Sequence, residues 1–325
     1  MAQNYRIAVL MGGVSNEREV SFKSGKAVCQ ALRDAGHDVV PVDIVERRLD
    51  QLDDIRPDAV FNVLHGEFGE DGEVQRLLEE KGIPYTGSGP QASRAGMDKI
   101  ATKRAFILHS VPTADYFTVE GDEGFGHVSA QAEAMGYPLV CKPACGGSSL
   151  GVTIVRKADD LRQSLDAALE STPNDPRVLL ERYVRGREFT VGVLDGVPLP
   201  VVEVCTKREF FDYEAKYHDE ATQYIIPVAL LESTYRKVQE AAARAYHALG
   251  CRHMSRVDLM CGFDGGLYVL EVNTIPGFTP RSLLPMAAKH AGIEFKDLCD
   301  RLVRMAVSEA AGAARDDAER KRHIA

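Results

Sequence analysis

Residues Ser255 to Thr274, SRVDLMCGFDGGLYVLEVNT, hold two strand-forming runs closed by Phe263-Asp264-Gly265-Gly266. So short a connection forces an antiparallel hairpin. With Asp264-Gly265 as a two-residue loop, Phe263 opposes Gly266 and the numbers of paired residues sum to 529. Asp258 then faces Glu271, and Arg256 faces Asn273, on one side of the pleat. The other side pairs Val257 with Val272 and Leu259 with Leu270. Directly opposed Cβ atoms lie about 4.5–5.5 Å apart, where like charges destabilise the pair. A cation therefore belongs between the carboxylates. Two readings stand: Arg256 serves alone as a structural counter-ion, or a divalent metal such as Mg²⁺ takes the carboxylate and amide oxygens.

A chain of 325 residues has room for two or three domains, each with its own core. Hydrophobic residues make up 45% and charged residues 27%, the balance of a soluble globular protein. No apolar run approaches the roughly 18 residues of a membrane span, and Met1-Ala2-Gln3-Asn4 has no leader pattern. Neither a membrane location nor secretion is expected. A net charge of −9 speaks against nucleic acid as partner. The seven cysteines form no CxxC pair, which fits reduced thiols in a cytoplasm, and the histidines show no HExxH spacing for zinc.

Strands and helices alternate with short links up to Gly89, as in a small parallel-sheet α/β domain. Strands are expected at 39–44, 59–64 and 83–86, with a helix at 74–81. A second unit spans 90–182, with a helix containing Lys99 and strands at 138–143, 152–155 and 178–181. A third spans 183–309 and opens on a hairpin turning at Asp195-Gly196. Residues 310–325 are expected to be frayed.

KPACGGSSLGV, from Lys142, sets a lysine at a strand end before a Gly/Ser loop. Such a loop is either a flexible surface segment or a phosphate cradle, and Lys142 favours the cradle because a point cation there needs an anion. It is not a Walker A loop, and AVLMGGVSNEREVS lacks the GxGxxG of a dinucleotide fold, which argues against an oxidoreductase. Glu17 begins a helix, so it either complements the helix dipole or binds an ammonium near a strand's carboxyl end. His65 reads first as a hydrogen-bonded structural residue. FFDYEAKYHDEATQY, from Phe211, is too polar to pack and too aromatic for a linker; it is either a disordered loop or a lid.

In order along the chain, GGVSNEREVS, LHGEFGEDG, YTGSGPQAS, MDK, KPACGGSSLGV, EFTVGVL, FDYEAKY, RVDLM and EVNTIPGFTPRSLLPMAA resemble the D-alanine–D-alanine ligases of the ATP-grasp superfamily. The likeness runs from about Ile7 to Arg304. It implies an α/β (α+β) ATP-grasp fold of three domains, with ATP between the central and C-terminal ones. Lys99, Lys142 and Lys216 would then contact ATP. Glu181, Arg182 and Val184 would line the adenine slot, and Glu188 would hold the ribose. Asp258, Glu271 and Asn273 would bind two Mg²⁺, with Mn²⁺ as a substitute and a monovalent cation such as K⁺ compatible with the family. Glu17 would take the ammonium of the first D-alanine, with Ser148 and Tyr217 ordering the lid. Arg256 and the backbone of Gly277 would steady the oxyanion, and Ser282 would receive the second D-alanine's carboxylate. The resemblance also implies a cytoplasmic homodimer making D-alanyl-D-alanine for peptidoglycan through an acyl phosphate. Tyr217 in EAKY matches the form associated with D-alanine as second substrate.

Overall fold

The computed structural model describes residues 3–121, 123–206 and 222–324, with side chains described as far as residue 312. Lys216 and Tyr217, and with them the expected lid, lie outside the described residues.

The first unit contains β1 (Arg6–Gly12), α1 (Arg18–Asp34), β2 (Asp38–Ile44), α2 (Gln51–Ile55), β3 (Ala59–Asn62) and α3 (Glu73–Glu80). Its three strands form a parallel sheet in the order β2-β1-β3. β1 is buried along its whole length after Arg6, as a parallel strand covered on both faces must be. The segment expected as a fourth strand, 83–86, makes only a single bridge, Val60 to Tyr85. Pro84 interrupts it, and proline has no N–H for a ladder.

The second unit holds α4 (Pro90–Met97), α5 (Lys99–Leu108), β4 (Tyr116–Val119), α6 (Phe125–Met135), β5 (Leu139–Pro143), β6 (Thr153–Val155), α7 (Leu161–Ser171) and β7 (Val178–Arg182). These strands make an antiparallel sheet in the order β4-β7-β5-β6. The third unit contains β8 (Gly186–Leu194), β9 (Val197–Pro198), β10 (Val202–Cys205), β11 (Gln223–Ile225), α8 (Glu232–Ala248), β12 (Met254–Gly262), β13 (Leu267–Asn273), α9 (Leu283–His290) and α10 (Phe295–Ile324). Its main path is β11-β10-β8-β12-β13, with β9 paired to β8. Asp195 and Gly196 both have positive φ, +55° and +76°, as a tight hairpin turn requires.

The third unit does not keep its core to itself. Ile7, Val9 and Phe61 of the parallel sheet share one apolar cluster with Phe278, Leu284 and Ala287 and with Leu298 and Leu302 of α10. The Phe278 ring sits 5.5 Å from Phe61 and 5.7 Å from Phe295, centroid to centroid. Nor does order end at 309: α10 continues as helix to Ile324. Alanine and long charged side chains, which fill that stretch, are the strongest helix formers. At its middle, Glu309 ties back to Arg252 at 3.1 Å and His253 at 2.8 Å.

The β12–β13 hairpin keeps the 529 register where the charges lie: Arg256 opposes Asn273, Val257 opposes Val272 and Asp258 opposes Glu271. Nearer the turn the register changes, with Leu259 opposing Val269 and Cys261 opposing Leu267. Two departures cancel. The loop closes one residue earlier, from Gly262 N–H to the Gly266 carbonyl at 2.8 Å, and a bulge at Leu270 restores the count. The bulge has a visible cause. Val269 donates its N–H to Pro112 at 2.7 Å and its carbonyl accepts from the Thr113 hydroxyl at 2.8 Å. Leu270, expected beside Leu259 on the apolar face, instead lines the cleft described next.

Candidate active site

A cleft lies between the second unit's sheet and the face of β8, β12 and β13. Val140, Ile154 and Leu150 line one side, and Met260 and Leu270 the other. Apolar walls facing each other suit a flat ring.

The cleft gathers most of the residues singled out from the sequence. Lys99, Lys142, Ser148, Glu181, Arg182, Val184, Glu188, Asp258, Glu271 and Asn273 all line the cleft. Lys99 opens α5, capped by Asp98, and its ammonium donates to the Gly146 carbonyl at 2.8 Å. The glycine loop that follows Lys142 holds Ser148 and Ser149 at φ +53° and +57°, a left-handed conformation that L-residues adopt only under constraint. Glu181 is buried, with Lys142 on one carboxylate oxygen and Lys103 on the other. Burial alone would push the Glu181 carboxyl up, yet the two lysines pull it down to about 2.

Asp258 is the most heavily engaged side chain of the floor. Arg256 donates to both of its oxygens, at 2.9 and 2.7 Å, Thr190 donates at 2.6 Å and the Asn273 amide at 3.2 Å. Four accepted bonds use the full capacity of a carboxylate. Thr190 reaches it because β8 pairs with β12 at that position, a register the hairpin alone does not reveal.

Three expected residues stand just outside the cleft lining. Glu17 is buried and does not cap α1; its carboxylate instead accepts from the Ser148 hydroxyl, bridging the first unit to the glycine loop. Arg256 reaches the cleft through Asp258. Ser282 is the N-cap of α9, but its hydroxyl oxygen accepts from Thr279 N–H at 3.0 Å rather than capping the helix. A Cβ on Gly277 would come within 3.4 Å of that oxygen, so the loop and Ser282 are neighbours.

Residues 108–304 match the family profile described as D-ala D-ala ligase C-terminus, and residues 6–51 and 48–88 the one described as D-ala D-ala ligase N-terminus. A D-alanine–D-alanine ligase of Syntrophotalea carbinolica is 44% identical over 302 residues, 93% of this chain and 96% of that protein. The chain belongs to the D-alanine–D-alanine ligase family. Among solved structures, the D-alanine–D-alanine ligase of Bacillus anthracis complexed with ATP superposes with a TM-score of 0.82 at 34% identity, covering 95% of this chain and 99% of that one. The VanG D-Ala:D-Ser ligase of Enterococcus faecalis follows at 0.79 and 30% identity, covering 93% and 99%.

For this family member, sequence reading passed over Glu70, which also lines the cleft. Its carboxyl accepts from Gly66 N–H at 2.6 Å. Burial, and then the nearby charge of Glu17, raise its pKa well above the ordinary range. The LHGEFGEDG motif contains Glu70, but nothing in its spacing marks that residue apart from its acidic neighbours.

His65 has the structural role expected of it. Its Nδ1 donates to the Ile275 carbonyl at 3.1 Å, which makes Nε2 the acceptor from the Ser24 hydroxyl at 3.2 Å. The same Ser24 oxygen accepts from Phe278 N–H at 3.2 Å. His65 and Ser24 thus fix the 275–278 loop from two sides. Burial lowers the His65 pKa from 6.5 to about 4. Between those values the unfolded chain binds the proton and the folded chain does not, so stability rises with pH. The His65 contribution, about 3 kcal/mol, is complete above pH about 6.5 and is lost as pH falls toward about 4. Urea unfolding at pH 7 and pH 4.5 checks this: the difference is expected to shrink in His65→Gln, and an unchanged difference contradicts the assignment.

Proposed function

We propose that the cleft joins two D-alanine molecules at the expense of ATP, through a D-alanyl phosphate, giving D-alanyl-D-alanine for peptidoglycan precursors. The observation that carries this reading is the meeting, in one cleft, of the Lys99–Lys142 glycine-loop end with the Asp258, Glu271 and Asn273 floor. Phosphoryl transfer asks mainly for positioning and charge neutralisation, which lysines beside a glycine loop supply.

In this scheme Glu17 holds the ammonium of the first D-alanine and Ser148 keeps that carboxylate in place. The substrate carboxylate then attacks the γ-phosphate and ADP leaves, while Lys99 and Lys142 neutralise the phosphate oxygens. The second molecule's neutral amine attacks the acyl phosphate carbonyl, Arg256 with the Gly277 N–H steadies the oxygen that gains charge, and collapse expels phosphate as the nitrogen loses its proton. Ser282 and the N-terminus of α9 receive the second carboxylate. Glu181, Arg182, Val184 and Glu188 hold adenine and ribose against Met260 and Leu270. An acyl phosphate hydrolyses in water, which is the chemical reason for a lid in this scheme.

Asp258, Glu271 and Asn273 offer hard oxygen donors suited to two Mg²⁺ ions, or to Mn²⁺. Asn273 spends its amide nitrogen on Asp258, so the amide oxygen remains a donor. Asp258 already accepts four bonds, so a metal there replaces one of them. Bound metal would add Lewis-acid stabilisation of the phosphates. A cytoplasmic homodimer completes the reading; seven free cysteines agree with a reducing compartment.

The test is ADP release with D-alanine alone, compared with D-alanine plus D-serine or D-lactate, at neutral pH. D-Alanine alone is expected to sustain full turnover. A requirement for the second compound would replace the dipeptide reading with that of a D-Ala:D-Ser or depsipeptide ligase.

A further inference from the structure

Lys103 is fully buried, touches no part of the cleft surface, and has no role in the scheme above. It lies one helical turn after Lys99 on α5. Lys99 faces the glycine loop, while Lys103 runs inside the wall. Its ammonium lies 2.6 Å from Glu181 Oε2, a close ion pair off the hydrogen-bonding direction, and donates to the Thr113 hydroxyl at 2.5 Å. The Thr113 hydroxyl donates its hydrogen bond to the Val269 carbonyl at 2.8 Å, so its oxygen accepts from Lys103. The other Glu181 oxygen, Oε1, is taken by Lys142, which does line the cleft.

The three side chains carry two positive charges and one negative. Glu181 could cancel one lysine, and geometry decides which one a ligand in the cleft would feel. Buried ion pairs are held at the expense of desolvation, so they persist only when the partners are fixed by further bonds. Lys103 is fixed through Thr113 to the backbone of β13, beside the bulge that precedes Glu271. Without it, Glu181 and Lys142 would form a closed one-to-one pair. Lys142 also faces Glu271 and Glu188, which would leave that end of the cleft acidic.

We propose that Lys103 is a positioning residue for the nucleotide: by occupying one oxygen of Glu181 from inside the wall, it leaves the charge of Lys142 to the polyphosphate. The proposal rests on the ATP reading above. The titration directions agree with it: burial lowers the Lys103 pKa, whereas Lys142, despite its burial, is raised by Glu181, Glu271 and Glu188.

The experiment is direct binding of ATP, ADP and adenosine to the full chain by calorimetry, for wild type, Lys103→Met and Lys103→Met/Glu181→Gln. Lys103→Met is expected to weaken ATP and ADP by about tenfold or more and to change adenosine by less than about twofold. The double variant removes equal and opposite charges, leaves Lys142 charged, and is expected to recover most of the loss of ATP and ADP relative to adenosine, a ratio that cancels what Glu181 contributes to the adenine slot. Equal weakening of all three ligands would make Lys103 a merely structural residue and overturn the proposal. So would a double variant no better than the single one. Should Lys103→Met fail to fold, the double variant decides alone: loss of ATP and ADP binding with adenosine retained overturns the proposal. Failure of wild type to bind ATP would instead overturn the ATP reading, and the two failures are thereby distinct.

Discussion

Glu271→Gln is expected to lower kcat by about 10²-fold or more, the size of effect seen when one strong electrostatic partner leaves a reacting centre. Glu271 lies directly opposite Asp258, with Asn273 two residues further along the same strand, so it supplies the second of two carboxylates on the cleft floor. The same substitution removes a like-charge opposition, which in a strand pair is destabilising by up to about 1 kcal/mol. Thermal stability is therefore expected to hold or rise slightly while turnover collapses. Steady-state ADP release at saturating Mg²⁺, alongside thermal unfolding, separates the two. Near-normal turnover under those conditions would sink the assignment of Glu271 to metal and phosphate, and leave Arg256 as the sole counter-ion of the hairpin.

The second large effect concerns folding. A Cβ added at Gly69 would stand 2.2 Å from the Leu64 carbonyl oxygen and 2.5 Å from Leu64 Cβ. Both belong to the buried chain leaving β3, and the Gly69 carbonyl is itself held by Asn62 at 3.3 Å and Gln75 at 2.7 Å. Nothing there can move without breaking a buried bond. Gly69→Ala is expected to destabilise the chain by about 3 kcal/mol or more, read as a shift in the urea midpoint. Gly82→Ala is the comparison, since open space surrounds that position and only its φ of +65° resists a side chain; it should cost about 1 kcal/mol. Equal midpoints for the two variants would refute the crowding argument.

Much of the cleft floor was legible because a hairpin is a local object. Its alternation placed Asp258 with Arg256 and Glu271 with Asn273 on one face, and their pairing across the strands holds because the bulge at Leu270 offsets the longer turn. What escaped was set from a distance. The bulge that delivers Leu270 to the cleft arises because Pro112 and Thr113, far off in sequence, take both backbone groups of Val269. No periodicity in the hairpin carries that information. Lys103 was hidden for a related reason: a lysine on an amphipathic helix reads as a solvated charge, and only the fold brings Glu181 to it. Glu17 shows the opposite error. Its position at a helix start made dipole capping the simplest account, but the carboxylate turns to Ser148 in another unit. Local rules describe the helix end correctly and say nothing about what a neighbouring loop offers. The tail was misjudged through the reverse bias, since composition that looks unstructured is also composition that makes good helix.

The cluster that joins Ile7 and Phe61 to Leu298 and Leu302 has a consequence for how the molecule is made. Chains leave the ribosome amino end first, and domains generally close in that order. Here the parallel sheet of the first sixty-odd residues waits for side chains synthesised almost last. Until α10 has emerged, one face of that sheet is covered only in part, by Val28 and Leu32 of α1, during translation. Early sequence and late sequence must therefore be present together before the amino-terminal third can become fully native, and a transcript truncated before Leu298 would yield a product with an open apolar face at its beginning rather than at its end.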